Sequence, residues 1–351
     1  MYKNIRTTRG YTYHYLSVKP QADKPTLLFM HGFPDTSHGW NRQIDYFRSR
    51  GYGLIVPDML GFGGTDKPTD PAAFLCTAVA QDMIDILDAE EVPKVYAVGH
   101  DWGSTISTIL SIKHSDRFIG FAYITVPYSP PEKLPPLDEI LRSQMDMFGH
   151  PIVGYWTFFT KEDAASKMEE HLDSLLDVVY AADPEIWKTL INIPGELEPF
   201  VVEGRRLPSA NYFPTGTRLT IRTLKSREQL KDSLAQGGLT SPLNWYKSVV
   251  QGVNDAIIDG EKTESSTVSC PDCSEGLKPE DLMIKKPTFF ALAKLDYVAI
   301  EPYARGCMEK HTPAHLLTMI PYNTGHWVHM EEPSKFNADL EKWMETAPDT
   351  D

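Results

Sequence analysis

The apolar positions of this chain fall into two regimes separated by a proline-rich break. In the first third, short runs rich in Val, Ile, Leu, Phe and Tyr occupy Thr26–Met30, Tyr52–Val56, Lys94–Val98 and Phe118–Val126 and end near Gly, Pro or Asp. Continuous apolar runs of this length suit strands buried on both faces. Tyr11–Val18 instead alternates with period two, which predicts an antiparallel strand at the start. Between the runs lie amphipathic stretches. Ala78–Leu87 puts Val79, Met83, Ile84 and Leu87 on one face, and Ser104–Lys113 does so with Ile106, Ile109 and Leu110. Strand, helix, strand order of this kind predicts an α/β fold with a mostly parallel sheet and right-handed crossovers.

Pro127, Pro130, Pro131, Pro135 and Pro136 then break the pattern. A helix-rich block follows, carrying Tyr155, Trp156, Phe158, Phe159, Tyr180, Trp187, Trp245 and Tyr246. Residues 255–280 are polar, lack an apolar period and read as a long exposed loop. The α/β pattern resumes with strands at Pro287–Leu292 and His315–Ile320 and helices at Pro302–Lys310 and Pro333–Met344. The expected organisation is a core of residues 1–127 and 287–351 interrupted by a helical cap, or lid, over 128–286. A length of 351 residues fits this division, since one core seldom organises more than about 250 to 300.

Composition narrows the partners. With 34 Lys plus Arg against 48 Asp plus Glu, and no long basic run, the surface repels phosphate backbones, so nucleic acid is not expected. The longest strongly apolar stretch, Phe118–Pro127, is far short of the ~20 residues a membrane helix needs. The first ten residues carry charge but no apolar signal region, so a cytoplasmic location is expected. Cys76, Cys270, Cys273 and Cys307 are too few and too scattered for a disulfide framework. Cys270-Pro-Asp-Cys273 has no second pair nearby and reads as a structural or incidental thiol pair rather than a metal site.

The most informative segment is Gly99-His100-Asp101-Trp102-Gly103, where a strand turns into a helix. Flanking glycines allow a tight reversal and close strand–helix packing, which hold the central side chain up in a strained conformation. That central residue is Asp101. A carboxylate needs no base for its own attack and displaces at carbon to give an ester. His31-Gly32-Phe33-Pro34 lies in a second turn after a strand, from which the Phe33 N–H, together with that of Trp102, would form an oxyanion hole. The glycine-rich turn from Asp58 to Pro68 lacks the Lys-Ser/Thr of a phosphate loop and is assigned a structural role. Near the C-terminus, His326 follows Gly325 in a strand-exit loop, and Asp296 is the one carboxylate in the exit loop Lys294–Val298. Nucleophile, acid, histidine is the chain order this architecture uses.

These motifs, including Lys294-Leu-Asp296-Tyr-Val298 and Gly325-His326-Trp327, resemble the α/β-hydrolase family and, within it, the soluble epoxide hydrolases. The resemblance covers nearly the whole chain. It implies opening of an epoxide to a vicinal diol through a covalent Asp101 ester, hydrolysed by water that His326 activates and Asp296 orients. It further implies two cap tyrosines as donors to the epoxide oxygen. Gly154-Tyr155-Trp156 and Pro242-Leu-Asn-Trp245-Tyr246 look like the two segments, pointing to Tyr155 and Tyr246. Within the motifs, His31, Pro34, Trp156, Trp245 and Trp327 are expected to line the substrate. Neither metal nor organic cofactor is required, the partners are a small-molecule epoxide and water, and the protein is expected to be a monomer or homodimer.

Two other readings compete. A haloalkane dehalogenase shares the Asp nucleophile, with Trp102 as a halide donor, but needs a second donor, and Phe33 has no side-chain N–H. A ligand-binding receptor on the same fold would keep the pocket without turnover. A serine esterase is excluded because Asp101 holds the nucleophile position.

Overall fold

A computed structural model of the chain describes residues 1–207, 221–259 and 279–348. Its centre is an eight-stranded sheet of β1 (Tyr2–Arg6), β2 (Thr12–Val18), β3 (Thr26–Met30), β4 (Gly53–Pro57), β5 (Val95–His100), β6 (Phe118–Ile124), β7 (Thr288–Ala293) and β8 (Leu317–Tyr322). Their spatial order is β1-β2-β4-β3-β5-β6-β7-β8. The first two pairings, β1 with β2 and β2 with β4, are antiparallel; all the others are parallel. The α/β reading holds, with one strand more than the apolar pattern predicts. β1 has only Tyr2 and Ile5 half-buried and the rest exposed, so it lacks the apolar run or strict alternation that marks the others. Strand ends also move by a residue or two: β5 runs on through Gly99 and His100, and β8 starts at Leu317 rather than His315.

Helices cover both faces, as buried parallel strands demand. On one face Trp40 and Phe47 of α1 (Asn41–Ser49) pack on Phe29, while Phe336 and Trp343 of the last helix pack on Phe289 of β7, all in one apolar layer with Leu27 and Leu340. Against the other, α2 (Cys76–Ala89) and α3 (Trp102–Lys113) bring Val79, Met83, Ile106 and Leu110 onto Leu28 and Met30. Alternate residues of β3 thus serve opposite layers. Among the described residues, the regular elements between β6 and β7 are all helical from Leu137 onward, including Trp156–Phe159, Leu172–Val179, Asn244–Val250 and Ala256–Asp259. The last of these shortens the predicted polar loop at its start. The rest of that loop, with Cys270 and Cys273, lies almost wholly outside the described residues.

This segment joins the second layer through Phe158, Phe159, Trp187 and Tyr246. It is also pinned to the strand-exit loops by hydrogen bonds from Trp245 Nε1 to the Leu60 carbonyl (3.0 Å), Ser241 Oγ to that of Pro68 (2.7 Å) and Asn192 Nδ2 to that of Tyr297 (2.8 Å). Among the described residues no helix is long and apolar enough to cross a membrane.

Two predictions test this packing. A Cβ on Gly103 would lie 2.1 Å from the Met30 carbonyl oxygen, whereas one on Gly306 meets nothing within 4 Å. Gly103→Ala should therefore destabilise the protein by about 1 to 3 kcal/mol through overpacking, and Gly306→Ala, in the helix Glu301–His311, should stabilise it by about 0.5 to 1 kcal/mol. Urea denaturation of the two variants measures both. His329 is buried with both ring nitrogens unpartnered, and burial, the main cause, pushes its pKa down to about 3. The unfolded chain then binds a proton that the folded one refuses, so stability is lost as pH falls below the ordinary His value near 6.5. At pH 5 the loss from this residue is about 2 kcal/mol. His329→Leu should flatten the fall in melting temperature between pH 7 and 5; an unchanged slope would contradict it.

Candidate active site

Four strand ends converge at the carboxyl edge of the sheet, the usual place for ligands in open α/β folds. Met30 pairs with Gly99 across β3 and β5, so the turns that follow, Gly32–Phe33 and Asp101–Trp102, face one another. Ala293 pairs with Tyr322 across β7 and β8, so the loops carrying Asp296 and His326 do the same.

Asp101 sits between β5 and α3 at φ 53°, ψ −121°, in the left-handed half of backbone space. Such a conformation costs a non-glycine residue on the order of 1–3 kcal/mol and persists because its neighbours leave no alternative. A Cβ on Gly99 would lie 2.4 Å from the Gly103 carbonyl oxygen, and one on Gly32 would lie 2.1 Å from Asp101 Oδ1. Close approach at Gly32 lets the Phe33 N–H donate to Asp101 Oδ1 at 2.9 Å. The Trp102 N–H also holds the carboxylate. Burial raises the Asp101 pKa, against the opposing pull of His326 and these two N–H groups.

The other carboxylate oxygen, Oδ2, lies 3.8 Å from His326 Nε2. On the far side of the ring, His326 Nδ1 donates to Asp296 Oδ2 at 2.7 Å, while Asp296 Oδ1 accepts the N–H groups of Val298 (2.9 Å) and Ala299 (3.2 Å). Burial alone would depress the His326 pKa, but the charge and hydrogen bond of Asp296, with Asp101 and Glu331, raise it above the ordinary value. The three residues predicted as nucleophile, base and orienting acid are thus brought together, with Asp296 hydrogen-bonded to one side of the His326 ring and Asp101 3.8 Å from the other.

Tyr155 and Tyr246 come from separate parts of the inserted segment and meet with ring centroids 5.7 Å apart. Tyr246 stands edge-on to Trp102 at 5.1 Å and to Phe33 at 5.4 Å. Both phenols are pushed well up, first by burial and also by the Asp101 charge, so both are protonated at neutral pH with that carboxylate nearby. Trp156 stacks on Trp102 at 6.4 Å, and the buried indole N–H groups of the two face the phenols of Tyr155 and Tyr246.

The remaining residues predicted to line a substrate are all buried in the same region, with their polar atoms already engaged. His31 Nε2 accepts the Met59 N–H at 2.9 Å and Nδ1 donates to the Gly32 carbonyl at 2.9 Å; burial pushes its pKa down to about 4. Trp245 donates to Leu60 and Trp327 to the Val179 carbonyl at 3.0 Å. Pro34 follows a cis peptide bond after Phe33. In the Asp58 loop the carboxylate takes the N–H groups of Gly64 within the loop and of Ser37 outside it, each at 2.8 Å.

Three further residues lie beside these without a role predicted from the sequence. Trp187 lies over His326 at 5.2 Å, Asp35 is a buried acid that burial pushes up to about 7, and Glu331 contacts the His326 loop. Asp35 directly follows the motif His31–Pro34, which is the one signal that marks it; Trp187 and Glu331 have no local signature.

Residues 25–333 match the alpha/beta hydrolase fold family. Among curated proteins, epoxide hydrolase 1 of Siraitia grosvenorii is 33% identical over 337 residues, covering 94% of each chain. Bifunctional epoxide hydrolase 2 of Mus musculus is 23% identical over 95% of this chain, which spans 55% of the mouse protein, about half its length. The structure of potato (Solanum tuberosum) epoxide hydrolase I superposes with a TM-score of 0.72 at 21% identity, covering 98% of this chain and 99% of that one. Epoxide hydrolase A of Mycobacterium thermoresistibile does so with a TM-score of 0.71 at 19% identity, covering 99% of both chains. A strand-turn-helix elbow with Asp at its tip, a His–Asp pair from the last two strand exits and this agreement over nearly the full length have one reading: the chain belongs to the α/β-hydrolase fold family and, within it, to the epoxide hydrolases.

Proposed function

We propose that this protein hydrolyses epoxides to vicinal diols through an ester on Asp101. The observation that carries the reading is the arrangement around that carboxylate: Oδ1 on the Phe33 N–H, Oδ2 toward His326, and two protonated phenols nearby. Asp101 Oδ2 attacks an epoxide carbon, the carbon–oxygen bond breaks, and the departing oxygen takes a proton from Tyr155 or Tyr246. The product is a hydroxyalkyl ester and a tyrosinate. As the ester forms, Asp101 loses the negative charge that helps hold the phenol pKa values up. Phenol acidity therefore rises when the proton is needed.

His326 Nε2 then takes a proton from water, whose oxygen attacks the ester carbonyl carbon. Oδ1 becomes the oxyanion and already lies on the N–H of Phe33, so little reorganisation is needed. Collapse releases the diol, which leaves with the imidazolium proton, and the proton shed as Asp101 returns to carboxylate restores the tyrosine. Asp296 keeps Nδ1 protonated and stabilises the imidazolium. Residues 128–286 serve as the cap over this chemistry, supported by the hydrogen bonds that seat the segment on the exit loops. A cytoplasmic location belongs to the same reading and is supported by Cys76 and Cys307, both free thiols.

The buried indole N–H groups of Trp102 and Trp156, which stack beside the phenols, favour a second reading. They supply the pair of donors a leaving halide needs, and Asp101 could displace halide from an alkyl halide by the same ester route. The phenols beside Asp101 favour the epoxide.

With styrene oxide, Asp101→Asn should lower diol formation by at least about 10⁴-fold, and Tyr155→Phe with Tyr246→Phe should slow ring opening by about 10³-fold with the fold intact. Efficient bromide release from an alkyl bromide, with no diol from epoxides, would select the second reading; tight binding of either without turnover would select a receptor. Because the His326 pKa is raised, ester hydrolysis should increase with pH along a limb centred above the ordinary value of about 6.5. Asp296→Asn should move that limb to lower pH, and a limb that stays in place would contradict the assigned pairing.

A further inference from the structure

His326 is fixed by more than its ring. Its own carbonyl accepts from His100 Nε2 at 2.9 Å. On either side of it, the Gly325 N–H donates to Glu331 Oε2 at 3.0 Å and the Trp327 N–H to Glu331 Oε1 at 3.2 Å. One carboxylate therefore spans the peptide groups before and after the base. Glu331 ends the short helix Val328–Glu331, one turn beyond His326, so the chain folds back on the loop it has just left. Gly325 allows the approach: a Cβ there would lie 3.2 Å from Glu331 Oε1 and 3.1 Å from Pro184 Cβ.

A backbone clamp does not require a charge, since a neutral acceptor would serve, and a half-buried carboxylate with backbone partners is costly to place. The charge here acts on His326. The ionisable groups facing the imidazole are Asp296 on Nδ1, Asp101 toward Nε2, Glu331 beneath the loop, and the imidazoles of His100 and His329 behind it, with ring centroids 4.7 Å from His326 to His100 and 4.6 Å from His100 to His329. Both of those imidazoles are held neutral, chiefly by burial, and Arg42 lies beyond His329. The negative groups are thus three carboxylates, one of which, Asp101, is neutralised when an ester forms on it. Glu331 and Asp296 remain.

Resting on the proposed ester mechanism, we propose that Glu331 is a positioning residue for the base. It holds His326 in register with Asp101 through the two flanking N–H groups, and it supplies a second negative charge, left in place when the ester forms, that stabilises the imidazolium during ester hydrolysis. Ring opening draws on Asp101 and the tyrosines, so its rate does not depend on Glu331.

Two variants separate bond from charge. Glu331→Gln keeps one acceptor oxygen and removes the charge; Glu331→Ala removes both. Nuclear magnetic resonance titration of the His326 ring in the ligand-free full chain needs no substrate and reads the charge directly. Both variants should lower the His326 midpoint by at least about half a pH unit. In single turnovers with styrene oxide, ester formation should stay within about threefold of the parent, while hydrolysis falls about 10-fold in Glu331→Gln and about 100-fold in Glu331→Ala. An unmoved midpoint in Glu331→Gln would overturn the electrostatic role whatever the substrate. Equal slowing of both half-reactions would overturn the positioning role and leave Glu331 a structural brace. Absence of any ester in the parent protein, with a shifted midpoint in the variant, would instead count against the epoxide reading and retain the clamp.

Discussion

Everything in this site hangs on how closely two backbone turns can approach. β3 and β5 are neighbours, and their exit turns meet only because Gly32, Gly99 and Gly103 bring no Cβ to the contact. The contact holds Asp101 at a positive φ and puts the Phe33 N–H on its Oδ1. The strain of order 1–3 kcal/mol in such a residue is sustained by the apolar layers that fix β5 below and α3 behind. Loosening the approach would let the aspartate relax and would at the same time empty the oxyanion site, because one N–H serves both.

Around that fixed carboxylate the electrostatics follow from burial. The interior favours neutral forms, raising Asp101 and both phenols and depressing the three histidines His31, His100 and His329 that the mechanism does not use. His326 is the exception, because it alone among these buried imidazoles bonds to a carboxylate, Asp296. The molecule thus keeps one imidazole basic among several that are inert. The difference lies in partners rather than depth, since all four are buried.

The parts of this arrangement that were legible in the sequence are those whose chemistry is local. Asp101 between two glycines, and His326 after a glycine, sit at the ends of apolar runs that already read as strands. Asp296 could be assigned because its loop holds no other carboxylate. Tyr155 and Tyr246 are different: nothing within either segment says that they meet, and only the resemblance to a family pointed to them. β1 escaped notice because it lies on the sheet edge, half in solvent, where no apolar pattern is required. Glu331 escaped because a carboxylate that accepts backbone N–H groups has the same one-dimensional appearance as one that faces water. Packing and hydrogen bonding between elements are properties of the folded chain, and a pattern along it carries them only where one residue type is obligatory.

The central claim is that a covalent bond forms between Asp101 and the opened epoxide. Mass spectrometry of His326→Gln protein after brief incubation with styrene oxide tests it most directly, because this variant should form the ester and fail to hydrolyse it. A peptide containing Asp101 heavier by one whole substrate, reverting on mild alkaline treatment, is the predicted result. An unmodified Asp101 peptide from protein that still produces diol would contradict the account and require direct attack of water on the epoxide.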